Sequence, residues 1–197
     1  MKQLLILLFT LFAVSTTFAQ QKPKGLALHA KAPNIEATDQ NGNNISLAAL
    51  RKEGPVVVLF YRGNWCPYCN KQLKELQDSL QHITAKGAAV IAITPEAQEG
   101  VGNTIEKTGA AFPIISDKDV AIGRAYNVSY EVDTATLNKY KTTWDVDFLK
   151  INEQKEKAYL PVPAVYIIDK KGLVTYRFFD TDATRRPSVK ELLANLK

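Results

Sequence analysis

Two cysteines separated by two residues are the most chemically distinctive feature of this 197-residue sequence. Cys66 and Cys69 are the only cysteines in the chain, and they enclose Pro67 and Tyr68. A disulfide between them would close almost no loop, so it would add little to stability. A pair at this spacing can instead cycle between dithiol and disulfide. The spacing therefore predicts thiol chemistry in which one sulfur attacks and the other resolves.

The segments on either side of the pair predict how it is positioned. Residues 56–61 form an unbroken run of apolar and aromatic side chains, which is typical of a strand buried on both faces. After Pro67, leucine and isoleucine recur at helical spacing to about Lys86. A cysteine at a helix N-terminus lies at the positive end of the macrodipole, which favours the thiolate. We therefore expect Cys66 to be the exposed nucleophile and Cys69 to lie one turn below it.

Three other interpretations of the pair each meet an objection. His82 follows Cys69 at a zinc-finger spacing, but residues 85–88 contain no second histidine to complete a site. A structural disulfide is disfavoured by the short loop. Inert buried cysteines conflict with the polar residues 62–64, which predict a surface loop. The sequence thus predicts no metal site, and no cofactor is implied.

Strand and helix patterns alternate along the rest of the chain, which favours an α/β fold with parallel crossovers. We expect strands at 34–38, 56–61, 88–94, 112–116, 162–168 and 173–179. We also expect a short helix that ends near residue 52, and further helices at 67–86, 96–108, 120–126 and 187–196. Residues 129–160 lack glycine and proline and show no strand pattern. We interpret them as a mostly helical insertion.

The N-terminus has the layout of a secretory signal peptide. A basic residue, Lys2, precedes a short apolar run that ends in a small-x-small pattern at Ala19. This run is shorter than the roughly 20 residues that a spanning helix needs. We expect residues 1–19 to be cleaved and the protein to be exported, to the periplasm or another extracytoplasmic space, without stable membrane insertion. The polar residues 20–32 predict a flexible leader, and residues 33–197 the folded domain.

Charge gives little information about partners. The formal net charge of +5 is spread along the chain without a basic stripe, so we expect no nucleic-acid partner. The cysteine pair instead predicts protein or small-molecule thiols and disulfides as partners, together with an upstream redox partner.

The cysteine motif and a distant proline together resemble the thioredoxin superfamily. Residues 65–69 read Trp-Cys-Pro-Tyr-Cys, and residues 162–164 read Val-Pro-Ala at the start of a later strand. The resemblance implies a thioredoxin-like three-layer fold with a central mixed sheet, here with an N-terminal extension and the insertion near 129–160. It also implies substrate contacts at Trp65 and Pro67, and a second substrate-binding segment at Val162 and Pro163. In that fold Pro163 would be a cis-proline facing the cysteines, with neighbouring backbone that hydrogen-bonds the substrate.

Within the superfamily, the chain is similar to the AhpC/TSA, peroxiredoxin-like branch and also to exported reductases of the TlpA/ResA type. The shared segments are Asp39-x-x-Gly42, Phe60–Gly63, Phe112-Pro113 and Tyr166–Gly172. Two departures concern the chemistry. Where peroxiredoxins have a threonine and an arginine that bind peroxide, this sequence has Cys66 and Pro163. Where thioredoxins have a buried acidic residue, it has Phe60. The base that would activate Cys69 is therefore unassigned.

Three functions remain open at this point. The first is disulfide exchange, in which Cys66 attacks and Cys69 resolves the mixed disulfide. The second is a thiol peroxidase, or peroxiredoxin-like antioxidant, with Cys69 as the peroxidatic and Cys66 as the resolving cysteine. The third is a non-catalytic binding module that uses the insertion. Because the peroxiredoxin threonine and arginine are missing, we expect peroxide reduction to be slower than disulfide exchange.

Overall fold

The computed structural model describes residues 22–196, which form nine strands and eight helices. The strands are β1 (Glu36–Thr38), β2 (Asn44–Ser46), β3 (Val56–Phe60), β4 (Ala89–Thr94), β5 (Ile114–Ser116), β6 (Ser129–Glu131), β7 (Tyr159–Pro161), β8 (Ala164–Ile168) and β9 (Val174–Phe179). The helices are α1 (Leu47–Glu53), α2 (Pro67–Asp78), α3 (Leu80–Thr84), α4 (Gln98–Thr108), α5 (Ala121–Ala125), α6 (Thr134–Trp144), α7 (Phe148–Ile151) and α8 (Val189–Asn195).

A five-stranded mixed sheet lies at the centre, in the order β5-β4-β3-β8-β9. The β3, β4 and β5 strands are parallel to one another, whereas β8 is antiparallel to both β3 and β9. All residues of β3 are buried, as its continuous apolar run predicts. The register pairs Phe60, at the end of β3, with Ala164, at the start of β8. The loop that carries the cysteines therefore leaves the sheet beside the segment that contains Pro163.

Buried side chains on the two faces of the sheet form two cores, so the fold has three layers. Val57 and Leu59 pack with Leu73 of α2 in the first core. Phe60 points to the opposite face and packs with Tyr126 in the second core. The predicted three-layer fold with a central mixed sheet is confirmed. The same alternation places Phe60 in a different core from the two cysteines.

The helix predicted over 67–86 is two helices, α2 and α3. They are separated at Ser79, whose backbone (φ −105°, ψ 5°) leaves the helical region. The regular spacing of the apolar side chains continues through this break, so the sequence pattern does not show it. The cysteines lie at the start of α2, with Cys66 as its N-cap residue and Cys69 in its first turn.

The insertion at 129–160 contains α6 and α7, as predicted, but two unpredicted strands bound it. The β6 and β7 strands pair antiparallel, with Ser129 opposite Pro161. Within the insertion, Phe148 and Leu160 are buried in a third apolar cluster, against which Trp65 packs. Because Trp65 also packs against the first core, the insertion is joined to the cysteine loop.

Residues 22–32, predicted as part of a flexible leader, are instead hydrogen-bonded to the folded domain. The Gly25 N–H donates to the Asn127 carbonyl at 2.8 Å, and the His29 N–H donates to the Val174 carbonyl at 2.8 Å. These backbone bonds join the segment to positions far along the chain, which no local pattern can indicate. The expectation of a flexible leader is therefore wrong for this segment.

The predicted signal peptide, residues 1–19, lies outside the described residues and stays a prediction. Within residues 22–196, no helix has the length and apolar character needed to cross a membrane.

Candidate functional site

The two cysteines lie at the N-terminus of α2. Cys66 is the N-cap residue, with extended backbone (φ −91°, ψ 109°), and Pro67 occupies the first turn, where a missing N–H removes no helical hydrogen bond. The Cys66 N–H donates to the Gly63 carbonyl and the Cys69 N–H to the Cys66 carbonyl, both at 3.1 Å. The predicted start of the helix is confirmed, and both thiols lie in its first turn at the positive end of the macrodipole.

Both cysteines are buried, which corrects the expectation that Cys66 is exposed. Cys66 is 2% exposed and Cys69 is fully buried. Tyr140 and Trp144 of α6, in the insertion, line the same cavity as Cys66. Trp65 and Pro67, predicted to contact substrate, also line this cavity. Cys66 therefore remains the cysteine with access to a ligand space, even though its exposed area is small.

The two thiols have opposite pKa shifts. A hydrogen bond from the Cys69 thiol is the largest cause that lowers the pKa of Cys66, to about 6. Burial opposes this shift, whereas the Cys69 N–H and the positive charges of Arg62 and Arg186 add to it. Burial raises the pKa of Cys69, and so does its role as donor to a negatively charged Cys66. At neutral pH the arrangement therefore favours a thiolate at Cys66 and a thiol at Cys69.

Arg62 is a buried cation beside Cys66. Its side chain is 8% exposed, and its Nη2 donates to the Tyr140 hydroxyl at 2.9 Å. The guanidinium carbon lies 4.7 Å from the ring centroid of Trp65 and 5.5 Å from that of Tyr140. Cation–π attraction to both rings stabilises this position. The insertion thus fixes a positive charge next to the cysteine.

Arg186 supplies a second cation, which the sequence analysis missed. It lies in the loop between β9 and α8, and its Nη2 is 3.1 Å from the Cys69 Sγ. Its Nη1 donates to the Ala183 carbonyl at 3.0 Å, which orients the side chain. Arg186 is 117 residues from Cys69 in the chain. The adjacent arginines at 185 and 186 were the only sequence signal, and they lie outside any motif.

Neither Arg62 nor Arg186 forms a salt bridge with a carboxylate in residues 22–196. Arg62 is buried and Arg186 is half-buried, and a cation held in this way favours the negative form of a nearby group that can ionise. The groups beside these cations are the thiols of Cys66 and Cys69. The local charge balance therefore favours a thiolate in the reduced site.

A buried carboxylate, Glu96, lies on the other side of the cysteine loop. It accepts hydrogen bonds from the N–H and from the Nδ2 of Asn64, both at 2.7 Å. A side chain at Gly63 would not fit, because its Cβ would lie 2.6 Å from the Glu96 Oε1. Burial, with a smaller contribution from the negative charge of Cys69, raises the pKa of Glu96 to about 7, and the Asn64 bonds oppose the shift.

The sequence analysis missed Glu96, although a signal for it was present. Glu96 comes just after β4, which is parallel to β3, so both strands end at the same edge of the sheet. A carboxylate at that edge is a candidate for the base that the sequence analysis did not assign.

Val162 and Pro163 are not placed as the resemblance implied. Residues 22–196 contain no cis peptide bond, so the prediction of a cis-proline at Pro163 is wrong. The Val162 N–H donates to the Val128 carbonyl at 2.8 Å, and the Pro163 carbonyl accepts from the Asp180 N–H at 3.3 Å. Because an X–Pro bond prefers trans by only about 0.5–1 kcal/mol, such contacts can decide its form. Both residues line a neighbouring cavity of about 430 Å³ that includes Arg62 but neither cysteine.

A dithiol at the start of a helix that follows the central strand of a mixed sheet defines a thioredoxin-fold protein. The sequence profile of the AhpC/TSA family matches residues 28–177, and the chain belongs to that family.

Comparison with known proteins gives relatives of two kinds. The thiol-disulfide oxidoreductase ResA of Bacillus subtilis (strain 168) is 32% identical over 99 residues, which are 50% of this chain and 54% of that protein. A protein of Mycobacterium tuberculosis (strain H37Rv) with a provisional peroxiredoxin name is 37% identical over 89 residues, 45% of this chain and 56% of its own length. The chain thus spans little more than half the length of these relatives.

Solved structures show a shared fold. The crystal structure of the peroxidoxin BcpB from Mycobacterium tuberculosis matches with a TM-score of 0.66 and 19% identity, over 87% of this chain and 96% of that one.

The hydrogen bond between the thiols leads to a prediction for the pKa of Cys66. We expect Cys69→Ala to raise it by about one to two units, because a hydrogen bond to a charged group contributes about 1.5–3 kcal/mol. Cys69→Ser keeps a hydroxyl donor and is the matched control, with a smaller increase. The measurement is the pH dependence of Cys66 alkylation, followed by mass spectrometry. Equal pKa values in the two variants would contradict this account.

Burial of Glu96 predicts a pH-dependent stability. With a pKa of about 7 when folded and near 4.5 when unfolded, Glu96 binds a proton more readily in the folded state. Its contribution to the free energy of unfolding therefore decreases as pH rises from about 4.5 to 7, by about 3 kcal/mol in total. Glu96→Gln should remove this decrease, and Glu99→Gln, an exposed neighbour, should retain it. Urea unfolding at several pH values tests this. If the free energy of unfolding of Glu96→Gln decreases with pH as steeply as that of the wild type, the prediction is refuted.

Proposed function

We propose that this protein is an exported thiol–disulfide oxidoreductase that exchanges electrons with thiols and disulfides through Cys66 and Cys69. The observation that carries the proposal is the asymmetry of the pair. Cys66 lines a cavity and has a pKa lowered to about 6, whereas Cys69 is fully buried and has a raised pKa. A thiolate with access to a ligand attacks, and a protonated thiol below it waits to resolve.

The proposed reaction has two steps. The Cys66 thiolate attacks one sulfur of a substrate disulfide, so that a mixed disulfide forms and the other substrate sulfur leaves as a thiolate. Cys69 then loses its proton and attacks the Cys66 sulfur, which releases the second substrate thiolate. The protein dithiol is oxidised to a disulfide by two electrons, and the substrate disulfide is reduced to two thiols. The reverse sequence oxidises a dithiol.

Glu96 is the proposed acceptor for the Cys69 proton. Its pKa of about 7 lets it exist in both protonation states near neutral pH, and it is electrostatically coupled to Cys69. The Asn64 bonds hold this carboxylate against the cysteine loop. Glu96 would therefore take the role that the sequence analysis left unassigned.

A second candidate function, thiol peroxidase, is favoured by Arg186. A guanidinium 3.1 Å from the Cys69 Sγ is a donor placed where charge would develop during peroxide cleavage. From the sequence, the place of the family's arginine is held by Pro163, and Arg62 was the one arginine close enough to the cysteines to be considered for this role. Against it, Cys69 is fully buried and its pKa is raised, so a peroxide must reach a protonated and enclosed sulfur. We therefore rank disulfide exchange first.

Stopped-flow oxidation of the reduced protein separates the two functions. We expect bis(hydroxyethyl) disulfide to oxidise the wild type faster than hydrogen peroxide does. Cys69→Ser should accumulate a mixed disulfide at Cys66, detectable by mass spectrometry. Cys66→Ser should react with the disulfide at least about tenfold more slowly than the wild type. The double serine variant is the control without thiols. Fast oxidation by peroxide that survives Cys66→Ser but not Cys69→Ser would assign the peroxidase instead.

Export rests on the N-terminal pattern of residues 1–19 alone. We expect the mature chain to begin near Gln20 or Gln21, in a periplasmic or other extracytoplasmic space, where an upstream redox partner regenerates the pair. The intact mass of the protein recovered from its native cell compartment tests this. A chain that retains Met1 on the membrane would contradict cleavage.

A further inference from the structure

A cavity of about 580 Å³ lies above Cys66, and the insertion forms one of its walls. Tyr140 and Trp144 of α6 line it together with Trp65 and Tyr68 of the cysteine segment. Its volume is within the range of pockets that bind small molecules. Four aromatic side chains therefore surround the space from which a ligand reaches the thiol.

Two of the four aromatic side chains at this cavity are exposed. Among residues 22–196, three large apolar side chains are exposed, and two of them, Tyr68 (47%) and Trp144 (53%), line the cavity. The third, Leu28, lies elsewhere. Exposed apolar surface that gathers at one site marks a binding surface. Since the surface is made of rings, it favours a flat aromatic ligand that stacks against them.

Charge at the cavity selects an anionic ligand. Arg62 is the only charged residue that lines it in the described part of the chain, and its Nε is buried without a hydrogen-bond partner. In the reduced protein the Cys66 thiolate lies beside this cation. When the Cys66 sulfur enters a disulfide it loses its negative charge, and Arg62 is left uncompensated. A carboxylate on the ligand would replace the lost charge.

The backbone near Pro163 is unsuited to bind an extended peptide. The Val162 N–H already donates to Val128, and Pro163 has no N–H. Neither residue can therefore donate a main-chain hydrogen bond to a substrate strand, which is the interaction that makes peptide addition favourable. A small molecule held by side chains does not need these donors.

We infer that the cavity binds small aromatic thiols and disulfides that carry a carboxylate, with the rings stacked against Trp144 and the carboxylate paired with Arg62. This inference rests on the proposed function of the cysteine pair and specifies its substrate class. In the disulfide direction, the Cys66 thiolate forms a bond to one aryl sulfur while the other aryl thiolate leaves. Attack by Cys69 then releases the second aryl thiolate, so one substrate disulfide becomes two thiols.

The test compares four disulfides on the reduced protein. Dithiobis(nitrobenzoate) is aromatic and carries carboxylates, dithiodipyridine is aromatic without them, dithiodipropionate is aliphatic with them, and bis(hydroxyethyl) disulfide has neither feature. Second-order rate constants are measured for the wild type, Trp144→Ala, Arg62→Met and Arg62→Lys. For each disulfide, the ratio of variant to wild-type rate cancels the intrinsic reactivity of the compound. Leu28→Ala, which removes an exposed apolar side chain away from the cavity, is the matched control.

We expect Trp144→Ala to slow the two aromatic disulfides by about tenfold more than it slows the two aliphatic ones. Arg62→Met raises the pKa of Cys66 and slows all four, but the carboxylate compounds should lose about tenfold more than their neutral counterparts. Arg62→Lys should restore part of that preference. Equal effects of Trp144→Ala on all four disulfides would overturn the inference. It would also be overturned if the protein reduced insulin faster than the aromatic disulfides and Trp144→Ala did not change the rate with insulin.

A binding measurement separates this inference from the proposed function. Methylthio-nitrobenzoate is an unreactive thioether of the same shape and charge, and its binding can be followed by calorimetry. Binding to the wild type that is lost in Trp144→Ala supports the site even if no disulfide exchange occurs, in which case the proposed function alone has failed. No binding to the wild type at millimolar concentration overturns the inference, whatever the exchange rates are.

Discussion

An enclosed pair of thiols lies beside two guanidinium groups, and the chemistry of the site depends on how the Cys69 thiol and these two cations stabilise a thiolate at Cys66. Arg62 and Arg186 contribute positive potential where burial alone would keep both cysteines protonated. A thiolate at Cys66 satisfies that potential, whereas a disulfide carries no charge and does not.

The position of Arg62 depends in turn on the insertion. The Tyr140 hydroxyl accepts from its Nη2, and the rings of Tyr140 and Trp65 face its guanidinium carbon. Trp65 packs against both the first core and the cluster inside the insertion. A shift of α6 would therefore move a charge beside Cys66 as well as one wall of its cavity. The side chains that hold Arg62 beside Cys66 are therefore also side chains that line the cavity.

Sequence alone predicts the parts of this site that depend on neighbours in the chain. The buried run of β3, the turn with Cys66 and the start of α2 each follow from local periodicity or from Pro67. The parts that were missed depend on contacts between distant residues. Arg186 reaches Cys69 from a loop near the C-terminus, and residues 22–32 pair with strands far along the chain. Val162 was assigned to substrate by resemblance, but its N–H donates to Val128, a contact that no local pattern encodes.

The β6 and β7 strands hold the two ends of the insertion next to each other, with Ser129 opposite Pro161. A segment that enters and leaves a fold at one paired position can change in length or sequence while the register of the central sheet stays the same. The thiol pair and its helix follow β3 of the central sheet, whereas Tyr140 and Trp144 of the cavity wall belong to the inserted segment. Substitutions within residues 129–160 can therefore reshape the cavity without rebuilding the scaffold that carries the sulfur chemistry.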